Sequence, residues 1–136
     1  MQITNVELAL RLILSLVLAG LIGLELVSAE KERIEARMPV RPDLCNPMAG
    51  LHGGAAMSLA DTLGAMGAIM NLPEGARGTT TLESKTNFIG SAKEGETVVA
   101  VCTPVHIGRR TSIWQTRITT EAGRNVALVT QTQMVL

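Results

Sequence analysis

Asp61 stands in the middle of an apolar run that extends from Gly53 to Met70. A carboxylate in such company is rarely fully buried unless it is paired or used in chemistry. The plain alternative is a carboxylate bonded to a nearby hydroxyl such as Ser58 or Thr62. Upstream, Asn46, His52, Gly53 and Gly54 lead into the start of the same run. Free amides at a helix amino terminus, reinforced by the helix dipole, hold an anion or a developing oxyanion. Paired glycines let a substrate press against the backbone. His52 taken alone reads as a hydrogen-bonding residue at a helix start. With its neighbours it reads as part of a site that polarises a carbonyl.

The spacing adds a constraint. Asp61 lies eight residues beyond Gly53, which is roughly 12 Å along a helix axis and well off the Gly53 direction at ~100° per residue. Asp61 is then out of reach of a carbonyl held by the Gly53 amide of its own chain. If both belong to one site, two copies share it.

Positioning these residues needs a helix from Gly53 to about Met70, ended by Asn71-Leu72-Pro73. Its apolar residues cover every face, so it is expected to be buried all round. Gly64 and Gly67 weaken it by roughly 1 kcal/mol each relative to Ala but let neighbouring backbone come close. A helix this small and apolar must be wrapped by a sheet, which gives an α+β architecture. Strand-like runs follow at Thr79 to Ile89, Thr97 to Ile107, Ser112 to Thr120 and Asn125 to Val135, separated by glycine-bearing turns. Before the helix, Leu24 to Val40 has strand character, with Ile34, Ala36, Met38 and Val40 in period-2 alternation. The expected order is helix, strand, helix, then four antiparallel strands.

The chain has 136 residues, of which 46% are apolar, with 12 basic residues against 12 acidic and no net charge. That length suits one domain. Zero net charge argues against a nucleic-acid protein, and Phe88 and Trp114 alone make no stacking platform. Two cysteines, Cys45 and Cys102, make no disulfide framework, and no Cys/His group has zinc-ligand spacing. A cytoplasmic protein with no metal is expected. The run from Leu12 to Leu24 is too short for the ~20 apolar residues of a membrane span. Arg11 followed by that run and Val27-Ser28-Ala29 has the outline of a signal peptide. Set against it is a buried helix, retained and packed, that feeds the first strand.

Asn46-Pro47, then Leu51-His52-Gly53-Gly54, then Leu59-Ala60-Asp61 resembles the hotdog-fold acyl-CoA thioesterases of the PaaI-like (phenylacetyl-CoA thioesterase) branch. The likeness runs from about Gly23 to the carboxyl end and includes Thr79 to Ala92 and the Gly108-Arg109 turn. The hydrophobic helix from Val6 to Leu21 is longer than the family leads one to expect. The resemblance implies an antiparallel sheet wrapped around a central long helix, with an extra N-terminal helix: residues 1–22 form that helix, 23–136 the hotdog core of a single domain. It implies hydrolysis of acyl-CoA to a carboxylic acid and free coenzyme A, which is part of the substrate, so no separate cofactor is needed. Asp61 would act as general base or nucleophile, the Gly53 amide as oxyanion donor, and Asn46 and His52 would hold the thioester end or the water. Thr81 would position the water, and Gly54 would border the substrate. The family pairs into homodimers, often into homotetramers, with the site between subunits.

Arg109 and Arg110 could meet the phosphates of coenzyme A, or could be a solvated hairpin end. Lys85, Arg117 and Arg124 read as surface charges, His106 as structural, and the methionines as core filler. Cys45 has no base marked near it. Two other functions remain in view. A non-catalytic acyl-CoA-binding module on the same fold is opposed by the presence of Asp61. Hotdog enoyl-CoA hydratases use an Asp-x-Asn-Pro-x-His pattern, and here Asp43, Asn46 and Pro47 are followed by a displaced His52. No membrane partner is expected.

Overall fold

The computed structural model describes residues 4–15 and 17–136. Six strands form one antiparallel sheet: β1 (Glu25–Glu30), β2 (Arg33–Pro39), β3 (Thr79–Phe88), β4 (Thr97–Ile107), β5 (Thr111–Thr120) and β6 (Asn125–Val135), in spatial order β1-β2-β4-β5-β6-β3. Two short helices, α1 (Asn5–Ser15) and α2 (Leu18–Leu21), precede the sheet, and the long α3 (Gly53–Met70) lies across it.

Alternation dictates which face meets α3. Ile34, Ala36 and Met38 of β2, Val98, Ala100 and Cys102 of β4, and Trp114 and Ile118 of β5 are all buried. Leu59, Ala60 and Leu63 of α3 complete the same core. In β6 the inward positions are Ala127, Val129, Gln131 and Gln133, so two amides point into the core where the pattern elsewhere is apolar.

Gly64 and Gly67 seat the helix, although what approaches them is side chain rather than backbone. A Cβ at Gly64 would collide with the Gln131 amide, and one at Gly67 would lie 2.6 Å from the Trp114 ring. The ring is itself held, because Trp114 Nε1 donates to Ser112 Oγ at 2.8 Å.

Three expectations are corrected. The run from Leu24 to Val40 is a hairpin of two strands, turning at Lys31-Glu32 with Glu30 opposite Arg33. That turn lacks the Asn-Gly or Gly-X pair that marks tight hairpins. Helix α3 is not buried all round: Met57, Asp61 and Ile69 form an exposed row. The N-terminal segment is not one buried helix either. It breaks at extended Val17, and Gly20 packs against the carbonyl end of α1. Leu10 and Leu14 face the core, while Leu8, Leu12 and Ile13 face out. Arg11 ties α1 down by donating to the Leu26 carbonyl at 2.7 Å and pairing with Glu7. Leu16 and residues 1–3, on which part of that helix expectation falls, lie outside the described residues. No helix among the described residues is long and apolar enough to cross a membrane.

Strand β3 is a sheet edge, and Leu82, Phe88 and the following Ile89 are exposed along it. Its pairing with β6 slips between Thr81 and Glu83. Such a bulge reverses which alternate residues face inward. Thr79 and Thr81 before it, and Ser84, Thr86 and Phe88 after it, can all face α3.

The seating of α3 gives a direct test. Gly67→Ala gains about 1 kcal/mol in helix propensity, but overpacking against a fixed ring typically costs about 1–3 kcal/mol. The variant is expected to unfold at lower urea than the wild type. An unchanged or higher midpoint would mean that Trp114 yields.

Candidate active site

The amino end of α3 is built by the loop before it. Asn46 Oδ1 accepts from the amides of Met48 at 2.9 Å and Gly50 at 3.2 Å, shaping the turn in which Ala49 takes a positive φ of 59°. His52 is the N-cap, its Nδ1 accepting from the Gly54 amide at 2.8 Å. With Nδ1 an acceptor, neutral His52 carries its proton on Nε2. The cap uses the Gly54 amide and leaves that of Gly53, which donates to no group among the described residues. Gly53 lines an open cavity of about 410 Å³ with Asn46, Leu51, Phe88 and Ser91. The free amide lies at the positive end of an 18-residue helix, a position and polarity that can hold a developing oxyanion.

Asp61 lies two turns further on and lines a separate cavity of about 290 Å³ with Leu18, Met57, Ser58, Thr62 and Ser84. Its Oδ1 accepts from Thr81 Oγ1 at 2.7 Å. Gln131 Nε2 lies 3.4 Å from the same oxygen. Oδ2 has no partner among the described residues. The hydroxyls of Ser58 and Thr62 do not bond Asp61; they donate to the Gly54 and Ser58 carbonyls. The arrangement is a carboxylate with one oxygen held and the other open to a reactant.

Asp61 and Thr81 are thus brought together, as are Asn46, His52, Gly53 and Gly54, but Asn46 and Gly53 line one cavity and Asp61 another. Arg109 and Arg110 lie exposed in the β4–β5 turn. Val135 donates to the Arg110 carbonyl and pairs with Thr79, which places that turn at the end of the sheet where β3 begins. Residues missed from sequence are Gln131, Gln133 and Leu18. The two glutamines were detectable as amides in the inward register of β6. Leu18 reaches the Asp61 cavity only because the N-terminal segment breaks at Val17, which nothing in its composition marks.

Other groups are placed away from this chemistry. Asp43 is exposed and paired with Arg41 at 3.0 Å, so the hydratase-like pattern is not assembled. A further hollow of about 370 Å³ beside α1 contains Arg11, already engaged with Leu26 and Glu7. No cluster of three His, Cys, Asp or Glu among the described residues could hold a metal ion.

Residues 48–127 match the model of the thioesterase superfamily. The chain belongs to that family. This thioesterase is 35% identical over 107 residues to the 1,4-dihydroxy-2-naphthoyl-CoA hydrolase of Escherichia coli, covering 79% of this chain and 77% of the relative. A thioesterase from Pseudomonas aeruginosa, crystallised as a point mutant, superposes with a TM-score of 0.89 at 27% identity, over 99% of this chain and 96% of that one. A thioesterase structure from Streptococcus pneumoniae containing coenzyme A superposes with a TM-score of 0.77 at 25% identity, over 84% and 86% of the two chains. The thioesterase therefore has the hotdog fold and hydrolyses thioesters.

Both thiols of this thioesterase are free. Burial pushes the Cys102 thiol up to about 11. Burial, then the charges of Glu94 and Asp43, push the Cys45 thiol up as well, and its Sγ donates to the Arg41 carbonyl. A raised thiol stays protonated and unreactive at neutral pH. In the folded protein both cysteines should resist iodoacetamide at pH 7, and urea should expose them. Rapid labelling of native Cys45 would contradict this.

Proposed function

We propose that this thioesterase hydrolyses an acyl-CoA thioester with Asp61 as the catalytic carboxylate and the Gly53 amide as the oxyanion donor. The observation that carries the reading is the state of Asp61, anchored through Oδ1 and open at Oδ2 beside an apolar cavity. Support for coenzyme A as the leaving group comes from the E. coli relative, a CoA-thioester hydrolase by name, and from the S. pneumoniae neighbour with coenzyme A.

In this mechanism the thioester carbonyl oxygen accepts from the Gly53 amide. Asp61 Oδ2 removes a proton from water as it attacks the carbonyl carbon, or attacks directly to give an anhydride that water then opens. The C–S bond breaks, and the departing thiolate takes up a proton to become free coenzyme A. The negative charge of the tetrahedral intermediate falls where the helix dipole is most positive. His52 Nε2–H is free to donate to the thioester end, and Asn46 keeps the loop in shape around it. Gly54 borders the same surface. Arg109 and Arg110 are two exposed guanidinium groups within the β4–β5 turn, without an ion pair among the described residues and suited to the phosphates of coenzyme A. Leu18 and Met57 offer aliphatic walls to the acyl group.

The site is shared between two copies. The axial offset of roughly 12 Å and the separate cavities support this. So do the free edge of β3 and the exposed row Met57, Asp61 and Ile69 on α3, which give a second copy an edge to extend and an apolar surface to cover. The reading is a cytoplasmic homodimer, in which each site takes its amide from one chain and its carboxylate from the other. These homodimers pair further into homotetramers through surface outside that row, and mass measurement in solution distinguishes the two assemblies.

Release of free thiol from a panel of acyl-CoA thioesters tests the activity. Asp61→Asn preserves size but removes the charge, and turnover should fall by about 10²–10⁴ while acyl-CoA still binds. Near-normal turnover in Asp61→Asn would remove the assignment. A wild type that binds acyl-CoA but releases no thiol would favour the binding module.

A further inference from the structure

Thr81 is the middle link of a hydrogen-bonded chain that runs from Asp61 into the core. Its Oγ1 donates to Asp61 Oδ1 at 2.7 Å and accepts from Gln133 Nε2 at 2.6 Å. On the other side of the amide, Gln133 Oε1 lies 3.1 Å from Thr79 Oγ1, which is also 2.9 Å from the Met134 carbonyl. Gln133 is fully buried. Thr81 lies directly across the β3–β6 ladder from Gln133, and Thr79, opposite Val135, is its diagonal neighbour.

The sense of this chain follows from what each group can give. An ionised carboxylate only accepts, an amide nitrogen only donates, and a hydroxyl has one proton. With Gln133 Nε2 directed at Thr81, the Thr81 proton is free for Asp61. In the opposite sense the Gln133 carbonyl would take the Thr81 proton, and Asp61 could bond Thr81 only by carrying a proton itself. With the amide in the first sense Asp61 accepts at Oδ1 and keeps Oδ2 for chemistry. A buried, uncompensated amide would be costly, so Gln133 is held in place by the same bonds it enforces.

We propose that Gln133 is a positioning residue for Asp61, acting through Thr81. This inference rests on the catalytic reading of Asp61 above. It assigns Thr81 to the carboxylate rather than to the attacking water.

The test is steady-state thiol release by wild type, Gln133→Leu, Thr81→Val, Thr81→Ser and the Gln133→Leu/Thr81→Val double variant. Loss of a hydrogen bond to a charged group is worth about tenfold or more, so kcat of Thr81→Val should fall by about that much with KM little changed. Gln133→Leu should lower kcat less. It should cost nothing further when Thr81→Val is already present, because both act through one bond. Thr81→Ser keeps the hydroxyl and should recover most of the rate. Gln133→Glu, which would draw the Thr81 proton away from Asp61, should be slower than Gln133→Leu. Should Gln133→Leu fold poorly, Gln133→Met retains the side-chain length and is read in the same way. A wild-type kcat in Gln133→Leu or Gln133→Met, or an equal fold-loss in the presence and absence of Thr81, overturns the relay. If the wild type is active and Asp61→Asn is dead, that result removes the relay alone. A wild type that releases no thiol removes the functional reading as well.

Discussion

Gly64 and Gly67 let α3 settle so close to β5 and β6 that the Gln131 amide and the Trp114 ring occupy the space a Cβ would fill. Everything that defines the site depends on that depth. It brings Asp61 within reach of Thr81 on β3 and Gln131 on β6. It also aims the amino end of α3 at the cavity beside Phe88. The ring that sets the depth is fixed in turn by its bond to Ser112. Helix propensity is sacrificed at both glycines, and closer packing with a fixed position for the carboxylate is what replaces it.

The bulge in β3 is the second constraint. One strand must present Thr81 and Ser84 to the middle of α3 and Phe88 to its start, and strict alternation over that span would turn either the first or the last of these outward. The slip between Thr81 and Glu83 resolves the conflict. The result divides labour along the helix, with a free amide at one end and an anchored carboxylate two turns later. A single chain keeps these two groups in separate cavities. In the proposed dimer, the edge strand β3 and the exposed row on α3 are the surfaces offered to a second copy.

Much of this was legible in the residues themselves. The bounds of α3 were marked by Gly53-Gly54 and by Asn71-Leu72-Pro73, and the strands after it by glycine turns. The separation of Asp61 from the Gly53 amide was visible in their spacing, and the two line different cavities. Thr81 was visible only through family resemblance, because its contact with Asp61 spans 20 positions of sequence. The β1–β2 hairpin was hidden by a Lys-Glu turn without glycine. The exposure of α1 is hidden in its composition, because its apolar residues lie on both sides while only one side meets the core. Gln131 and Gln133 were readable as inward-facing amides, but polar residues in a strand are ordinarily assigned outward until the register is known.

The measurement that bears most directly on the shared site is the activity of mixed dimers. Gly53→Pro deletes the proposed oxyanion amide at a helix position that tolerates proline, and His52 at ψ 133° already has the extended backbone that precedes one. Asp61→Asn disables the other half. Each variant alone has two damaged sites, whereas a mixed dimer gathers both lesions into one site and leaves its second site intact. Random reassembly of equal amounts makes half the dimers mixed, so activity should rise to about a quarter of wild type by symmetry. Mixed dimers that form, by mass spectrometry, yet remain as inactive as their parents would place Gly53 and Asp61 in the same chain's site and contradict the account.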